Sequence, residues 1–438
     1  MYRNVLENIV VPIGDVFNRT SYMRQLKYWR KVDTYTLPQL ENLQKENLKE
    51  VLAHSVNTVP YYKNIDLKGS DPYLWLNQFP VVTKNHLREQ NSELISANVH
   101  MDSLIKYSSS GSSGIQSTVY MSKAEQSIIR GILTHWWEWS GYGIGSPIVQ
   151  TGMTLNRSAA KSLKDFFFRT YYVNAFSLSE EQLQKVCRTL ENTKSHFLVG
   201  YASSLQVIAA YALEHKFNIR LKAVISLGDK LFTHYKSTIE KAFHCKVYDT
   251  YGSNEGLMIA AQKDIDYLYI LSPHVYLEIV DDSNNPVPDG EMGHILVTRL
   301  DGFSMPLIRY KIGDLGILLP KEKYPKHREF QYPLLQQIVG RETDIITLPS
   351  GKKLTVHSFT GIFEYIPEIK QFKVIQERSD AILIEYIEGR NFTENALEKA
   401  EIELREKVED TSFSIEFIKV RYIAPTKSGK PQIIESKL

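Results

Sequence analysis

Tyr107-Ser108-Ser109-Ser110-Gly111-Ser112-Ser113-Gly114 packs five serines and two glycines into eight positions. It lies between two strand-like runs, Leu104-Ile105-Lys106-Tyr107 and Ser117-Thr118-Val119-Tyr120-Met121. A hydroxyl- and Gly-rich loop between strands can turn successive backbone N–H groups inward. That makes a nest for an anion, and the hydroxyls add donors to phosphate oxygens. It is not the Walker loop, because GK[ST] is missing and no helix opens directly after it. Nor is it the G-x-S-x-G elbow of a hydrolase. Taken alone, a flexible hairpin tip would read the same way.

Outward from this loop, residues 105–300 alternate strands and helices. Val224-Ile225-Ser226-Leu227 reads as a strand, 234–243 as a helix and 245–248 as a strand, an order that favours α/β layers. Residues 276–280 and 294–300 flank a turn-rich stretch with Asn285, Pro286, Pro288 and Gly290, a hairpin-like unit. Upstream, residues 1–100 read as mainly helical. Leu40, Leu43, Leu48, Val51 and Leu52 recur at helical spacing, Pro60 breaks the pattern, and Thr83 is placed to cap a following turn. Downstream of Gly340-Arg341 the texture changes. Residues 372–376 and 381–386 read as strands around Ser379-Asp380, 395–408 as a charged helix and 415–420 as a strand. The fold class is therefore α/β, with a large domain at 1–339 and a small α+β domain at 340–438.

Composition sets wide bounds. The chain has 438 residues, 43% of them hydrophobic, enough for two or three cores. Lys plus Arg is 52 against 50 acids, a net charge of +2, so there is no global drive toward nucleic acid, and no basic-aromatic motif is visible. Cys187 falls on the apolar face of a helical pattern, and Cys245 alternates with Phe243 and Val247 as an inward strand residue would. Neither belongs to a CxxC pair, so both read as structural. The apolar run at the N-terminus is broken by Glu7 and Asn8 and ended by Pro12, a poor signal peptide. No stretch reads as a membrane span. The expectation is a soluble, cytoplasmic protein.

Four further segments have chemical potential. Tyr251-Gly252-Ser253-Asn254-Glu255 follows a strand, where a carboxylate is well placed to hold Mg²⁺ against a nucleotide phosphate. A solvated Glu in an ordinary turn is the plain alternative. In Arg309-Tyr310-Lys311-Ile312-Gly313-Asp314 the acid could accept from a ribose diol, or the segment could be a simple turn. Gly340-Arg341-Glu342-Thr343-Asp344 combines backbone freedom with a cation, as a linker also would. Pro425-Thr426-Lys427-Ser428-Gly429-Lys430 offers a mobile point charge or a basic tail.

Each signal is weak alone, but their order is specific. A Ser/Gly loop, Y-G-x-x-E, R-Y-x-x-G-D, G-R-x-x-D and a terminal S-G-K together resemble the adenylate-forming superfamily, which holds acyl-CoA synthetases, peptide-synthetase adenylation domains and luciferases. Within it the chain looks like the phenylacetate–CoA ligase branch, and in particular its capsular-polysaccharide-biosynthesis relatives. Val56-Asn57-Thr58-Val59-Pro60-Tyr61-Tyr62, Phe79-Pro80-Val81-Val82-Thr83-Lys84 and Met305-Pro306-Leu307-Ile308-Arg309-Tyr310 carry the same likeness.

That resemblance implies ATP, Mg²⁺ and CoA as cofactors and co-substrates, and a carboxylic acid as the group activated. Ser109, Ser110, Gly111, Ser112, Ser113 and Gly114 would grip the β- and γ-phosphates. Gly228 and Asp229 would meet adenine, Tyr251 would pack on it with Gly252 and Ser253 beside, and Glu255 would bind Mg²⁺. Asp314 would hold the ribose, Arg341 would touch ribose or phosphate, and Lys430 would bridge the acyl carboxylate and α-phosphate. The small domain would rotate about residues near Thr343 and Asp344, and a homodimer is allowed for. An amine or hydroxyl acceptor, as in sugar decoration, stays open beside CoA. So does a degenerate nucleotide- or sugar-binding homologue without catalysis. Three departures bear on this. Ile115-Gln116 stand where the family loop continues Lys-Pro, with Lys123 or Lys106 as substitutes. Leu227-Gly228 replaces Gly-Gly. No cysteine follows the Y-G-x-x-E, so no zinc is expected.

Overall fold

The computed structural model describes residues 2–108, 118–152, 159–174, 180–192, 196–341, 345–350, 353–363, 366, 368–389, 391–424 and 432–437. Ser109 to Gly114, Ile115, Gln116, Thr343, Asp344, Lys427 and Lys430 lie outside the described residues.

The N-terminal region is helical, and its helices begin where local chemistry dictates. Thr36 opens the helix Leu37–Thr58 in a capping box with Gln39, with Pro38 in the first turn, where its missing N–H leaves no bond unmade. Leu40, Leu48, Val51 and Leu52 are its buried face. Thr83 caps the helix Lys84–Glu89 as expected, with its N–H donating to His86 Nδ1 at 3.0 Å. Just before it, Val82 forms a lone parallel bridge with Tyr310, fixing the start of the R-Y-x-x-G-D strand.

The strands, in chain order, begin with a hairpin, β1 (Ile105–Ser108) and β2 (Thr118–Met121), which carries the Ser/Gly loop. A parallel set follows: β3 (Ile148–Gly152), β4 (Thr170–Asn174), β5 (Phe197–Tyr201) and β6 (Ala223–Leu227). Then come β7 (Lys246–Ser253), β8 (Leu257–Gln262), β9 (Leu268–Ile270), β10 (Val275–Val280), β11 (Met292–Arg299), β12 (Tyr310–Leu318) and β13 (Leu334–Arg341). Strands β3 to β13 form one 11-stranded sheet in the order β10-β11-β12-β13-β9-β8-β7-β6-β5-β3-β4. Its parallel half is covered on both faces, as parallel sheets require. Val149, Leu198, Val224 and Val247 meet the helices of one face, including Leu183, Val186 and Cys187 of the helix Glu180–Asn192. Ile148, Phe197, Val199, Ala223 and Ile225 pack with Tyr142 on the other.

Two sequence expectations are corrected. Cys245 is not in a strand: it is the half-buried link between the helix Thr233–Phe243 and β7. Burial pushes its thiol and that of Cys187 up to about 12, so neither is a ready nucleophile. Residues 251–253 do not follow a strand but complete β7 itself. The tryptophans of the helix Lys123–Trp139 serve packing: Trp139 lies 4.8 Å from Phe330, ring to ring, and Trp136 is fully buried beside them.

The C-terminal domain is separate. It holds β14 (Ile345–Thr347) paired with β15 (Lys353–Thr355), then β16 (Ile369–Arg378), β17 (Ala381–Glu388), β18 (Ser414–Lys419) and β19 (Ile434–Ser436). The last four form a sheet ordered β18-β17-β16-β19. The helix Glu394–Val408 lays Ala396, Ala400, Leu404 and Val408 on it, an i, i+4 stripe. Phe232 of the large domain joins this apolar cluster.

Candidate active site

Strand β7 is where the sheet changes character. Its first half, Lys246 to Asp249, pairs in parallel with Ala223 to Ser226 of β6. Its second half, Thr250 to Ser253, pairs antiparallel with β8, with a register shift between Tyr251 and Gly252. The Y-G-x-x-E segment therefore sits on the seam, beyond the carboxyl ends of β5 and β6. Such switch points leave a crevice in which α/β sheets bind ligands.

Three motifs far apart in sequence meet at this seam. The Tyr251 hydroxyl donates to Asp314 Oδ2 at 2.7 Å. Asp314, on β12, is the register partner of Arg341 on β13. Tyr310, four residues before Asp314 on the same strand, donates its hydroxyl to Glu255 Oε1 at 3.3 Å. Glu255 is only 5% exposed, so it is not the solvated turn carboxylate that the plain alternative required. Gly256 follows with φ +82°, and a Cβ there would lie 2.5 Å from Met121 Cε of β2. That close approach seats the base of the β1–β2 hairpin directly against the Glu255 turn.

The turn after β6 reaches the same place. Gly228 has φ +77°, and a Cβ would lie 2.4 Å from the Tyr201 ring, so only glycine fits. Asp229 has a task that the sequence did not reveal. Its carboxylate accepts from the Ala202 N–H at 2.5 Å and from the Ser203 N–H and hydroxyl at 3.3 and 2.5 Å. It caps the helix Ala202–Glu214 from outside, satisfying amides that the helix cannot bond itself. Lys230 donates to the carbonyl of Val339, just before Gly340, and so ties this turn to β13.

Arg309 is structural. Buried with φ +48°, it pairs with Glu278 at 3.1 Å and donates to Phe79 O and Asn284 O at 3.4 Å. Lys123, weighed as a substitute for the absent loop lysine, instead donates to Asn18 O at 3.2 Å.

Sequence reasoning missed Tyr310, Lys230 and Asp249. Tyr310 had a usable signal, since a strand reading of 309–314 rather than a turn places it on one element with Asp314. Asp249 had none beyond being an acid inside a strand. It pairs with Ser226 across the β6–β7 ladder. Burial pushes its carboxyl up to about 7, with nearby Asp229 adding to the rise and the Thr250 N–H opposing it. An acid raised above its unfolded value binds more protons when folded, so its contribution to stability falls between about pH 4 and pH 7. Asp249→Asn is therefore expected to unfold at higher temperature than wild type at about pH 8, with the gap closing toward about pH 4. Thermal melts across that range check the sign, and a gap independent of pH contradicts it.

Comparison with known proteins fits this geometry. Residues 169–302 match the family model described as AMP-binding enzyme, and residues 346–437 match the CapK C-terminal domain. The chain is 24% identical to protein CapK of Staphylococcus aureus over 97% of its own length and 96% of the relative's. It is 24% identical to the phenylacetate-coenzyme A ligase of Escherichia coli (strain K12), covering 72% of this chain and 74% of that one. Among solved structures, 2-hydroxyisobutyryl-CoA ligase in its postadenylation state, in complex with 2-HIB-AMP, superposes with a TM-score of 0.74 at 20% identity. That likeness covers 93% of this chain and 91% of the other.

Proposed function

The chain belongs to the adenylate-forming superfamily, in its phenylacetate–CoA ligase-like branch beside CapK, and on that premise we propose that it activates a carboxylic acid with ATP. A carboxylate oxygen bonds to the α-phosphorus, the bond from that phosphorus to the bridging oxygen breaks, and pyrophosphate leaves. The product is an acyl-AMP. The observation that carries this reading is the meeting of Tyr251, Glu255, Asp314 and Arg341 at the β7 seam.

In this reading Tyr251 packs on adenine beside the Gly228 turn, with Gly252 and Ser253 flanking. Asp314 accepts from the ribose hydroxyls, and Arg341 reaches ribose or phosphate. The residues from Ser109 to Gly114 cradle the outer phosphates. Asp229 acts one step back, holding the Gly228 turn in place through the capped helix. Glu255 fits a hard divalent cation: it is a single buried carboxylate on a turn, and Mg²⁺ usually binds through one or two carboxylates plus substrate phosphates. Bound there, the cation would neutralise developing charge on the triphosphate. Two anions must be brought together, so positioning and fixed charge dominate the barrier. Lys430 supplies the cation between carboxylate and α-phosphate.

The acceptor of the acyl group is CoA in this proposal. The thiol sulfur bonds to the acyl carbon, the bond to the AMP oxygen breaks, and AMP leaves. An amine or hydroxyl acceptor is the alternative. The replacement of the loop lysine by Ile115-Gln116 favours one further reading, a nucleotide-binding homologue without adenylation. Pyrophosphate exchange separates this last reading from adenylation. Labelled pyrophosphate is expected to enter ATP only when a suitable carboxylic acid is present. A protein that binds ATP yet shows no exchange with a broad panel of acids is the degenerate homologue.

A further inference from the structure

The first helical stretch of the chain is apolar on two sides. It runs without a break from Tyr2 to Asn18, with a π-helical turn at Leu6–Val10. Leu6 and Val11 are buried with Met23, Leu26 and Ile144. Two ion pairs pin it to the body: Arg3 to Glu138 at 2.8 Å, and Glu7 to Arg30 at 2.7 Å. The opposite side carries Val5, Ile9, Ile13 and Phe17, every fourth residue, and all are exposed. On a regular α-helix such a stripe drifts about 40° per step. The wider π turn takes back part of that rotation and holds the stripe on one face. Val16 is 78% and Phe17 84% exposed, and nothing among the described residues packs over them.

A second element extends the patch. The Tyr2 hydroxyl donates to Phe167 O at 2.6 Å, which sets the end of the helix Ala159–Phe168 beside the stripe. Phe166 there is 76% exposed. Large apolar side chains left bare along one side in this way mark an interaction site.

The charges around it select the partner. Arg19 ends the helix, Arg24 and Lys27 are exposed on the neighbouring helix Tyr22–Val32, and Lys123 reaches Asn18 O. Arg169 lies over the Tyr2 ring at 4.4 Å. The acids of the first helix are turned to internal partners instead. Glu7 serves Arg3 and Arg30, while Asp15 accepts from the Thr20 hydroxyl and from the N–H groups of Tyr22 and Met23. Asp165, on the helix Ala159–Phe168, is half-buried. A second copy of the chain related by a two-fold axis would bring this cationic rim against itself. An anionic lipid surface would complement it. Aromatic and aliphatic side chains on the outer face with cations alongside is the make-up of a helix that lies in a membrane interface.

We propose that this face docks the protein on anionic phospholipid, with Phe17, Val16, Ile13, Ile9 and Phe166 entering the headgroup region and the rim cations meeting lipid phosphates. It lies in the interface and does not span it, since no helix among the described residues is long and apolar enough to cross a membrane.

The test is flotation of the full chain with vesicles of phosphatidylcholine alone or mixed with phosphatidylglycerol. Binding is expected to the mixed vesicles, weakened by added salt. Val16→Ser with Phe17→Ser is expected to lower it by about tenfold or more, with an unchanged melting temperature because both side chains are exposed. Arg19→Glu with Arg24→Glu is expected to remove the preference for phosphatidylglycerol. Failure of the wild type to float overturns the proposal. So does a concentration-dependent dimer, measured by light scattering, that the serine variant dissolves while vesicle binding is absent.

Discussion

Lys430→Ala is expected to slow acyl-AMP formation by about 10²–10³-fold, the loss of one preorganised charge at a transition state. The fold is expected to survive. A thermal melt checks this, because the strand that follows Lys430, β19, pairs with β16 in the C-terminal sheet. If the cation belongs to the first half-reaction alone, synthetic acyl-AMP supplied directly is expected to react with the acceptor at near the wild-type rate. Lys427→Ala, three residues earlier, is the internal control and should change neither step. Single-turnover assays of the two half-reactions decide the matter. Equal impairment of both, or silence of both substitutions, removes Lys430 from the reaction.

Asp314→Ala is expected to weaken ATP binding by about 1.5–3 kcal/mol, the range for hydrogen bonds to a charged group, or roughly 10–150-fold. The structure adds a control. Asp314 also accepts the Tyr251 hydroxyl at 2.7 Å, so a loss could be relayed through a displaced ring. Tyr251→Phe keeps the ring and deletes that bond. If the carboxylate acts on the ribose directly, the phenylalanine variant should bind ATP within a few-fold of wild type. Calorimetric titration measures both. An Asp314→Ala protein with unchanged affinity and an intact fold contradicts the assignment, and equal losses in the two variants make Asp314 a positioning residue for Tyr251.

Much of the local structure was legible because short-range chemistry decides it. Thr83 opens its helix because a hydroxyl and a side chain three residues on satisfy amides that the first turn leaves unbonded. The 276–280 and 294–300 runs pair as a hairpin from Val280 opposite His294 to Val275 opposite Arg299, since the turn residues between them permit little else. Helical spacing put Cys187 on a buried face, where it is. Cys245 was misplaced because a single alternation of apolar residues does not distinguish a strand from the last turn of a helix and its exit.

The candidate site was legible only as an order of motifs. The sequence by itself determined which residue types the chain carries, their spacing along it, and the order of the motifs that hold Tyr251, Glu255, Asp314 and Arg341. Only the tertiary structure decided that these residues meet. Their contacts run between strands separated in sequence, through the pairing of β12 with β13 and the change along β7 from a parallel neighbour, β6, to an antiparallel one, β8. It also turned Glu255 from a turn acid into a buried one, gave Asp229 to a helix end, and left the outer stripe of the first helix bare. Periodicity tells which side of an element is apolar. Whether that side is covered, and by what, depends on long-range packing that no local pattern encodes.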